Sequence, residues 1–398
     1  MWQKISTIAL LSALMVKSWR MCSQFPIPWM GSTACCSESR NNSESFDILY
    51  ERIRSVAPDL SKVKVGLEAT GHYNYNILSY LLDKHLTAYV INPLHTNFYR
   101  KGLSLRKTKT DRIDSRTIAL MLLTDLSLKP YSVSSYHREN LKSLTRYRFS
   151  RVQERSRQKS SISRLVTILF PELSQLVPCI HISSIYTMLE ELPGASYVAS
   201  VHLTRLTNIL SKASKGRFGR EMAITFREAA RTSIGAKIPA KSLELRHTIA
   251  DVRAIESEIR EVETEIQKLM DEETTTITSV PGIGTQMGAI ILAEIGDFSR
   301  FDSPDKILAF AGMSPSTYQS GKMISSYAHM EKRGSRYLRF ALFNVTKHVC
   351  NYDPGFAAYL AKKRAEGKHY NVAISHAAKR LVRMLYAMET NGTLYEAA

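Results

Sequence analysis

Residues 105–116 read Leu-Arg-Lys-Thr-Lys-Thr-Asp-Arg-Ile-Asp-Ser-Arg. Asp111 and Asp114 are three residues apart, so on a helix they share one face, a turn apart. Two like charges so placed repel unless a cation lies between them. Arg106, Lys107, Lys109, Arg112 and Arg116 could supply it, and so could a divalent ion such as Mg²⁺, a hard cation that takes carboxylate oxygens. An acidic first turn favoured by the helix dipole is the plainer account of the same spacing. A third carboxylate, Glu68, ends the alternating stretch Val63-Lys-Val-Gly-Leu67, a pattern that predicts a half-buried strand. An ordinary exposed carboxylate is the alternative there. Ser320 precedes Gly321, with Lys322 and Lys332-Arg333-Gly334 close by in sequence. It could be a nucleophile facing a phosphate or a plain loop serine, and Ser314, Ser316 and Ser325 compete for the first role.

The elements that must hold these groups are legible. Thr110 has the character of a helix N-cap ahead of Asp111, with the apolar run Ile118–Leu123 further on. Upstream, Tyr75, Leu78, Leu81 and Leu82 recur at helical spacing, and a second strand, Thr87–Ile91, is stopped by Asn92-Pro93. Strand, helix, strand and then a helix opened by paired aspartates is an α/β order, in which ligand sites gather at strand ends. An amphipathic helix over 44–59 precedes it, with Phe46, Leu49, Ile53 and Val56 on one face.

Further on the chain turns helical and basic. A long helix is expected over 137–170, with Arg148, Arg151, Arg155 and Lys159 in one stripe. A solvated charged face would explain such a stripe. The scarcity of acids in it, only Glu139 and Glu154, favours phosphate contact. Residues 171–240 are broken by proline and glycine into short helices. From Leu245 to Leu269 apolar residues sit at heptad spacing (Leu245, Val252, Ile259, Ile266, then Ile255, Val262, Leu269), which predicts a coiled-coil helix and, as the preferred partner, a second subunit. Pro281-Gly282-Ile283-Gly284 opens an apolar helix in the manner of a helix-hairpin-helix element, where Gly282 and Gly284 would let backbone N–H groups approach a DNA phosphate. A packing turn is the alternative. Lys332, Arg333, Arg336 and Arg339, then Lys379, Arg380 and Arg383, suggest more phosphate contact.

The composition agrees. The 398 residues carry 54 Lys plus Arg against 36 Asp plus Glu, a formal net charge of +18, which points to nucleic acid or an anionic surface as partner. No apolar run is long enough to span a membrane. Five cysteines without metal-type spacing argue against a disulfide framework or structural zinc and make the cytoplasm the expected compartment. Lys4 followed by Ile5–Val16 has the outline of a signal peptide without a cleavage site, and residues 17–43 have no sustained period.

Taken together these motifs resemble the DEDD-type insertion-sequence transposases guided by a bridge RNA, the IS-one-ten family. The resemblance rests on Leu67-Glu68-Ala-Thr-Gly71, Asn92-Pro93, Lys107-Thr-Lys-Thr-Asp111-Arg-Ile-Asp114, Pro281-Gly-Ile-Gly284, Ala311-Gly-Met-Ser-Pro315, Gln319-Ser320-Gly321 and Lys332-Arg-Gly-Ser-Arg-Tyr-Leu-Arg339. It runs over residues 44–390, in the family's order. It implies an α/β RuvC-like domain of the ribonuclease H fold, a coiled coil, and a mostly helical C-terminal transposase domain. It further implies Mg²⁺ held by an Asp-Glu-Asp-Asp set, of which Glu68, Asp111 and Asp114 match the last three, with Ser320 matching the catalytic serine. The basic helix would then meet the bridge RNA. One departure stands out. The family opens with a strand whose Gly-Ile-Asp supplies the first acid, and residues 1–45 hold nothing of that form; the first aspartate is Asp47.

The expected organisation is therefore an atypical, poorly ordered leader over 1–43, as a frameshift or displaced start would leave it, then an incomplete RuvC-like domain with the basic helix over 44–170. A helical linker and coiled coil follow over 171–273, and the C-terminal domain over 274–398. The expected function is DNA cleavage and rejoining, lost or reduced here for want of the first acid. The alternatives are a non-catalytic nucleic-acid-binding protein and a structure-specific junction nuclease, which would have no use for Ser320.

Overall fold

The computed structural model describes residues 8–12, 42–57, 59–69, 74–103, 110–126, 128–131, 133–315, 319–320, 323–324 and 330–396. The chain divides into two compact units, residues 1–139 with 296–302, and residues 140–295 with 303–398. The division between the units falls within the long basic helix, and the apolar residues of its second half belong to the core of the second unit.

The first unit is a small sheet between helices. Strand β1 (Ile8–Ser12) pairs antiparallel with β2 (Val63–Glu68), which pairs in parallel with β3 (Thr87–Ile91). Strand β1 corrects one expectation, since residues 8–12 of the leader form a strand that pairs with β2. Helix α1 (Ser43–Val56) is capped by the Asn42 side chain, which accepts from the Ser45 amide, and α2 (Tyr75–Asp83) joins β2 to β3. Phe46, Leu49 and Ile53 of α1 are buried as expected, but Val56 is exposed and Ala57 takes the inner place.

Side chains alternate between the faces of a strand. Val63, Val65 and Leu67 of β2 therefore share one face, packed with α1 and α2. Gly66 and Glu68 lie on the other. That second face is covered by α4 (Asp111–Thr124), reached from β3 through α3 (Pro93–Leu103). Ile118, Met121 and Leu122 of α4 form a core with Tyr89 and Ile91 of β3. A Cβ on Gly66 would run into Ile118 and stand 3.0 Å from Leu122, so this strand position must be glycine for the helix to approach.

The second unit is helical. Helix α5 (Val133–Leu169) enters it at residue 140, and α6 (Leu173–Leu176), α7 (Ser183–Glu191), α8 (Ala195–Ser200), α9 (Leu203–Ser214) and α10 (Arg220–Arg231) pack about its C-terminal half. The heptad stretch is one 34-residue helix, α11 (Pro239–Glu272). Leu245, Val252, Ile255, Ile259, Val262 and Ile266 are all buried within this single chain. The heptad positions therefore have packing partners within the chain. Leu245, Ile249 and Val252 share a core with Ile162, Leu165 and Leu169 of α5.

Beyond α11 come α12 (Thr285–Ile295), α13 (Pro304–Phe310), the two-residue strands β4 (Gln319–Ser320) and β5 (Met323–Ile324), then α14 (Arg336–Tyr352), α15 (Pro354–Ala365) and α16 (Tyr370–Asn391). Helix α12 packs on α14, and α14 on α15 and α16. No helix among the described residues is long and apolar enough to cross a membrane.

Candidate active site and nucleic-acid interface

Thr110 caps α4 as its type predicts, its hydroxyl accepting from the Ile113 amide at 3.3 Å. Asp111 is the first helical residue, with its side chain outside the described set, and Asp114 follows on the next turn. Asp114 lies one turn before Ile118, the residue that meets Gly66. Glu68 is half-buried at the end of β2, on the sheet face that α4 covers. Strand and helix thus bring Glu68 and Asp114 to one side of the sheet.

Asp114 pairs with Arg100 of α3, a cation outside the expected set; Arg106, Lys107, Lys109 and the side chain of Arg112 lie outside the described residues. Arg100 Nη1 donates to Asp114 Oδ1 at 2.6 Å, and its Nη2 donates to Asn97 Oδ1 at 3.0 Å. Asp114 is only 3% exposed, so this pair is largely out of water. Among the described residues no three His, Cys, Asp or Glu side chains cluster as a metal site would need. With one Asp114 oxygen committed to a guanidinium, the described residues do not fit the expected Mg²⁺ as they stand.

Ser320 lies opposite Met323 across a two-residue antiparallel ladder. Its side chain, Ser316, Ser325, Gly321 and Lys322 lie outside the described set. The expected spacing from Ser320 to the basic motif is bridged by the Pro315–Met330 pairing, which returns the chain to Lys332.

The basic stripe on α5 is corrected from an open cationic face to a seam of ion pairs with α11. Arg148 Nε meets Glu263 Oε1 at 2.7 Å, and Arg151 Nη1 meets Glu258 Oε2 at 3.4 Å. Lys159 Nζ meets Glu256 Oε1 at 3.2 Å, and Arg164 Nη2 meets Glu244 Oε1 at 2.8 Å. Partners rise in number along α5 as they fall along α11, so the two helices run antiparallel. The acids missing from the stripe are on the neighbouring helix. Arg155, the remaining residue of the stripe, is half-buried on the same helix.

The glycine turn is also more structural than expected. Gly282 has φ +94°, and a Cβ there would stand 2.8 Å from the His348 carbonyl carbon and the Val349 nitrogen of α14. Its close approach is thus to a helix backbone within the chain, whereas Gly284 faces open space. Arg339 is a clasp: Nη1 donates to the Ala311 carbonyl at 2.9 Å and to that of Lys332 at 3.2 Å. Lys332, Arg333 and Arg336 are exposed, and among the described residues none has a carboxylate partner. They form the open cationic face at the start of α14.

Three residues escaped the sequence reading. Glu294, 4% exposed in the otherwise apolar α12, accepts from Arg146 Nε at 2.6 Å and Nη2 at 2.9 Å, and from Ser335 Oγ at 2.6 Å. Ser335 in turn caps α14, accepting from the Leu338 amide at 3.1 Å. Arg146 stacks over the Tyr337 ring at 4.9 Å. A lone carboxylate inside Gly-Ala-Ile-Ile-Leu-Ala-Glu-Ile was the available signal, because such a group is buried only with a partner.

The profile of the IS110-type DEDD transposase domain, described as "Transposase", matches residues 34–171, and that of "Transposase IS116/IS110/IS902 family" matches residues 274–361. An insertion element IS116 protein of 44.8 kDa from Streptomyces clavuligerus is 27% identical over 376 residues, 92% of each chain. An insertion element IS110 protein from Streptomyces coelicolor is 33% identical over 120 residues, 30% of this chain and 29% of its own. A pilin gene-inverting protein from Moraxella bovis is 22% identical over 349 residues, covering 87% of this chain and 86% of its own. By resemblance the chain is a transposase, a DNA recombinase. It carries both transposase domains of the IS110/IS116/IS902 insertion-sequence family.

Proposed function

We propose that the chain is a bridge-RNA-guided transposase of an insertion sequence whose acid site is incomplete, so that it binds DNA and RNA but joins DNA strands weakly or not at all. The observation that carries this reading is β1. The strand beside Glu68's strand reads Ile-Ala-Leu-Leu-Ser, has no carboxylate, runs antiparallel to β2 and lies ahead of residue 34, where the family match begins. The first aspartate of the acid set has no counterpart there.

Ser320 is the proposed nucleophile. Its Oγ forms a bond to phosphorus as a P–O ester bond of the DNA breaks, and the proton lost by the hydroxyl is balanced by one gained at the departing oxygen. The bond energy is retained in the new ester, which allows rejoining. Lys332, Arg333 and Arg336 are the proposed phosphate contacts, because their charge is not neutralised by carboxylates among the described residues. Bridge RNA accords with the net charge of +18.

The test is to incubate the chain with the element's ends, bridge RNA and Mg²⁺, and to look for protein covalently joined to DNA. Binding with little or no adduct is expected, together with a Ser320-dependent adduct once residues 1–43 are replaced by the family's aspartate-bearing strand and Arg100, the guanidinium on Asp114, by Gln. An adduct from the unaltered chain as abundant as from the repaired one overturns the reading. Cleavage that survives Ser320→Ala would instead mark a junction nuclease.

A further inference from the structure

We propose that Arg100 is the resident counter-cation of Asp114 and keeps divalent ions off that carboxylate in this chain. The proposal rests on the reading of Asp114 as one of the transposase acids and adds a residue that governs it.

Asp114 presents its carboxylate from the second turn of α4, with its side chain 4% exposed. Arg100 reaches it from the last turn of α3 and is itself 17% exposed. At 2.6 Å this is a short, charge-assisted contact in a place from which water is mostly excluded. Such a pair holds together because releasing either partner leaves a buried charge uncompensated. The guanidinium is also held from behind, since Asn97, one turn earlier on α3, accepts from Nη2 at 3.0 Å. Arg100 is thus fixed in a fork between an amide oxygen and the carboxylate.

A divalent ion bound to the same oxygen would sit about 2.1 Å from it. Arg100 Nη1 is 2.6 Å from that oxygen. The two cations would therefore be less than about 5 Å apart, with little water to screen them. Metal and guanidinium compete for Asp114. Where the acidic helix was expected to draw its cation from solvent or from its own lysines and arginines, it receives a fixed one from a neighbouring helix.

The experiment is a Mn²⁺ titration of the full chain followed by electron paramagnetic resonance, with Mn²⁺ standing in for Mg²⁺. Four forms are compared: unaltered, Arg100→Gln, Asp114→Asn and the double variant. The unaltered chain and Asp114→Asn should bind Mn²⁺ alike. Arg100→Gln should gain a site at least about tenfold tighter, and the double variant should lose it. Arg100→Lys, which keeps a cation, should stay with the unaltered chain. An Asp114-dependent Mn²⁺ site in the unaltered chain overturns the proposal, and that comparison stands even if Arg100→Gln fails to fold. A folded Arg100→Gln that gains no site overturns it too. DNA binding measured without metal is independent of these outcomes, so failure here leaves the transposase reading to its own test.

Discussion

Arg146 and Glu294 meet through two parallel hydrogen bonds, Nε to Oε1 at 2.6 Å and Nη2 to Oε2 at 2.9 Å, with the carboxylate almost wholly buried. The pair ties the long helix α5 to the end of α12. Through Ser335, which shares Oε2, it also reaches the first turn of α14, where Arg336 stands exposed. One buried carboxylate therefore sets where the cationic face begins. Removing Arg146 leaves that charge without its main partner, and the cost of breaking a buried pair in this way is about 3–5 kcal/mol. Arg146→Ala should lower stability by that amount in urea unfolding. Arg146→Met with Glu294→Leu should cost clearly less, because no buried charge is left behind.

The seam between α5 and α11 leads to a contrast in nucleic-acid binding. Each cation withdrawn from a duplex phosphate reduces the slope of log K against log salt by about 0.9. Replacing Lys332, Arg333 and Arg336 together by Ala should flatten the slope by up to about 2.7. Replacing Arg148, Arg151 and Lys159 should leave it nearly unchanged, since their charges are spent on Glu263, Glu258 and Glu256. Fluorescence anisotropy over a salt series separates the two sets.

The heptad residues of α11 hold a core within one chain. Leu245 is fully buried beside Ile249 and residues of α5. Leu245→Ala should destabilise the protein by about 2–5 kcal/mol. A core within one subunit makes that loss independent of protein concentration, whereas a dimer seam would make it concentration-dependent. Denaturation at two concentrations tenfold apart reads the difference.

Local signals carried much of this architecture. Thr110 caps α4, Val63–Glu68 and Thr87–Ile91 are strands, and the heptad stretch is a single helix, because capping, alternation and helical period act over a few residues. What was hidden depends on partners distant in sequence. The basic stripe reads as open until the acids of α11, some 80 to 115 positions away, are placed beside it. The glycine turn reads as a phosphate cradle until the backbone of α14 is found against Gly282. Arg100 lies 14 residues before Asp114, too far for helical spacing to suggest the pair. Strand β1 lay in the apolar run Ile5–Val16 with the outline of a signal peptide, and it forms where β2 offers an edge to pair with.

Histidine burial gives the chain a pH dependence in a window of its own. His181 bridges two hydroxyls, with Nε2 3.0 Å from Ser163 Oγ and Nδ1 2.9 Å from Tyr186 Oη. Burial, and then the nearby charge of Lys159, hold its pKa below the ordinary 6.5. His376 is lowered in the same direction by burial and by Lys368, Lys379 and Lys363. The unfolded chain therefore takes up these protons at a higher pH than the folded one. Below about pH 6.5 the unfolded state binds more protons, so stability is intact above that pH and falls as the pH drops through the window beneath it. Urea unfolding at pH 7.5, 6.5 and 5.5 should give a steady decline over the last step, above the range where most carboxylates titrate. His181→Gln should remove its share of that decline, and a profile unchanged by the substitution would mean the ring is not held neutral by its surroundings.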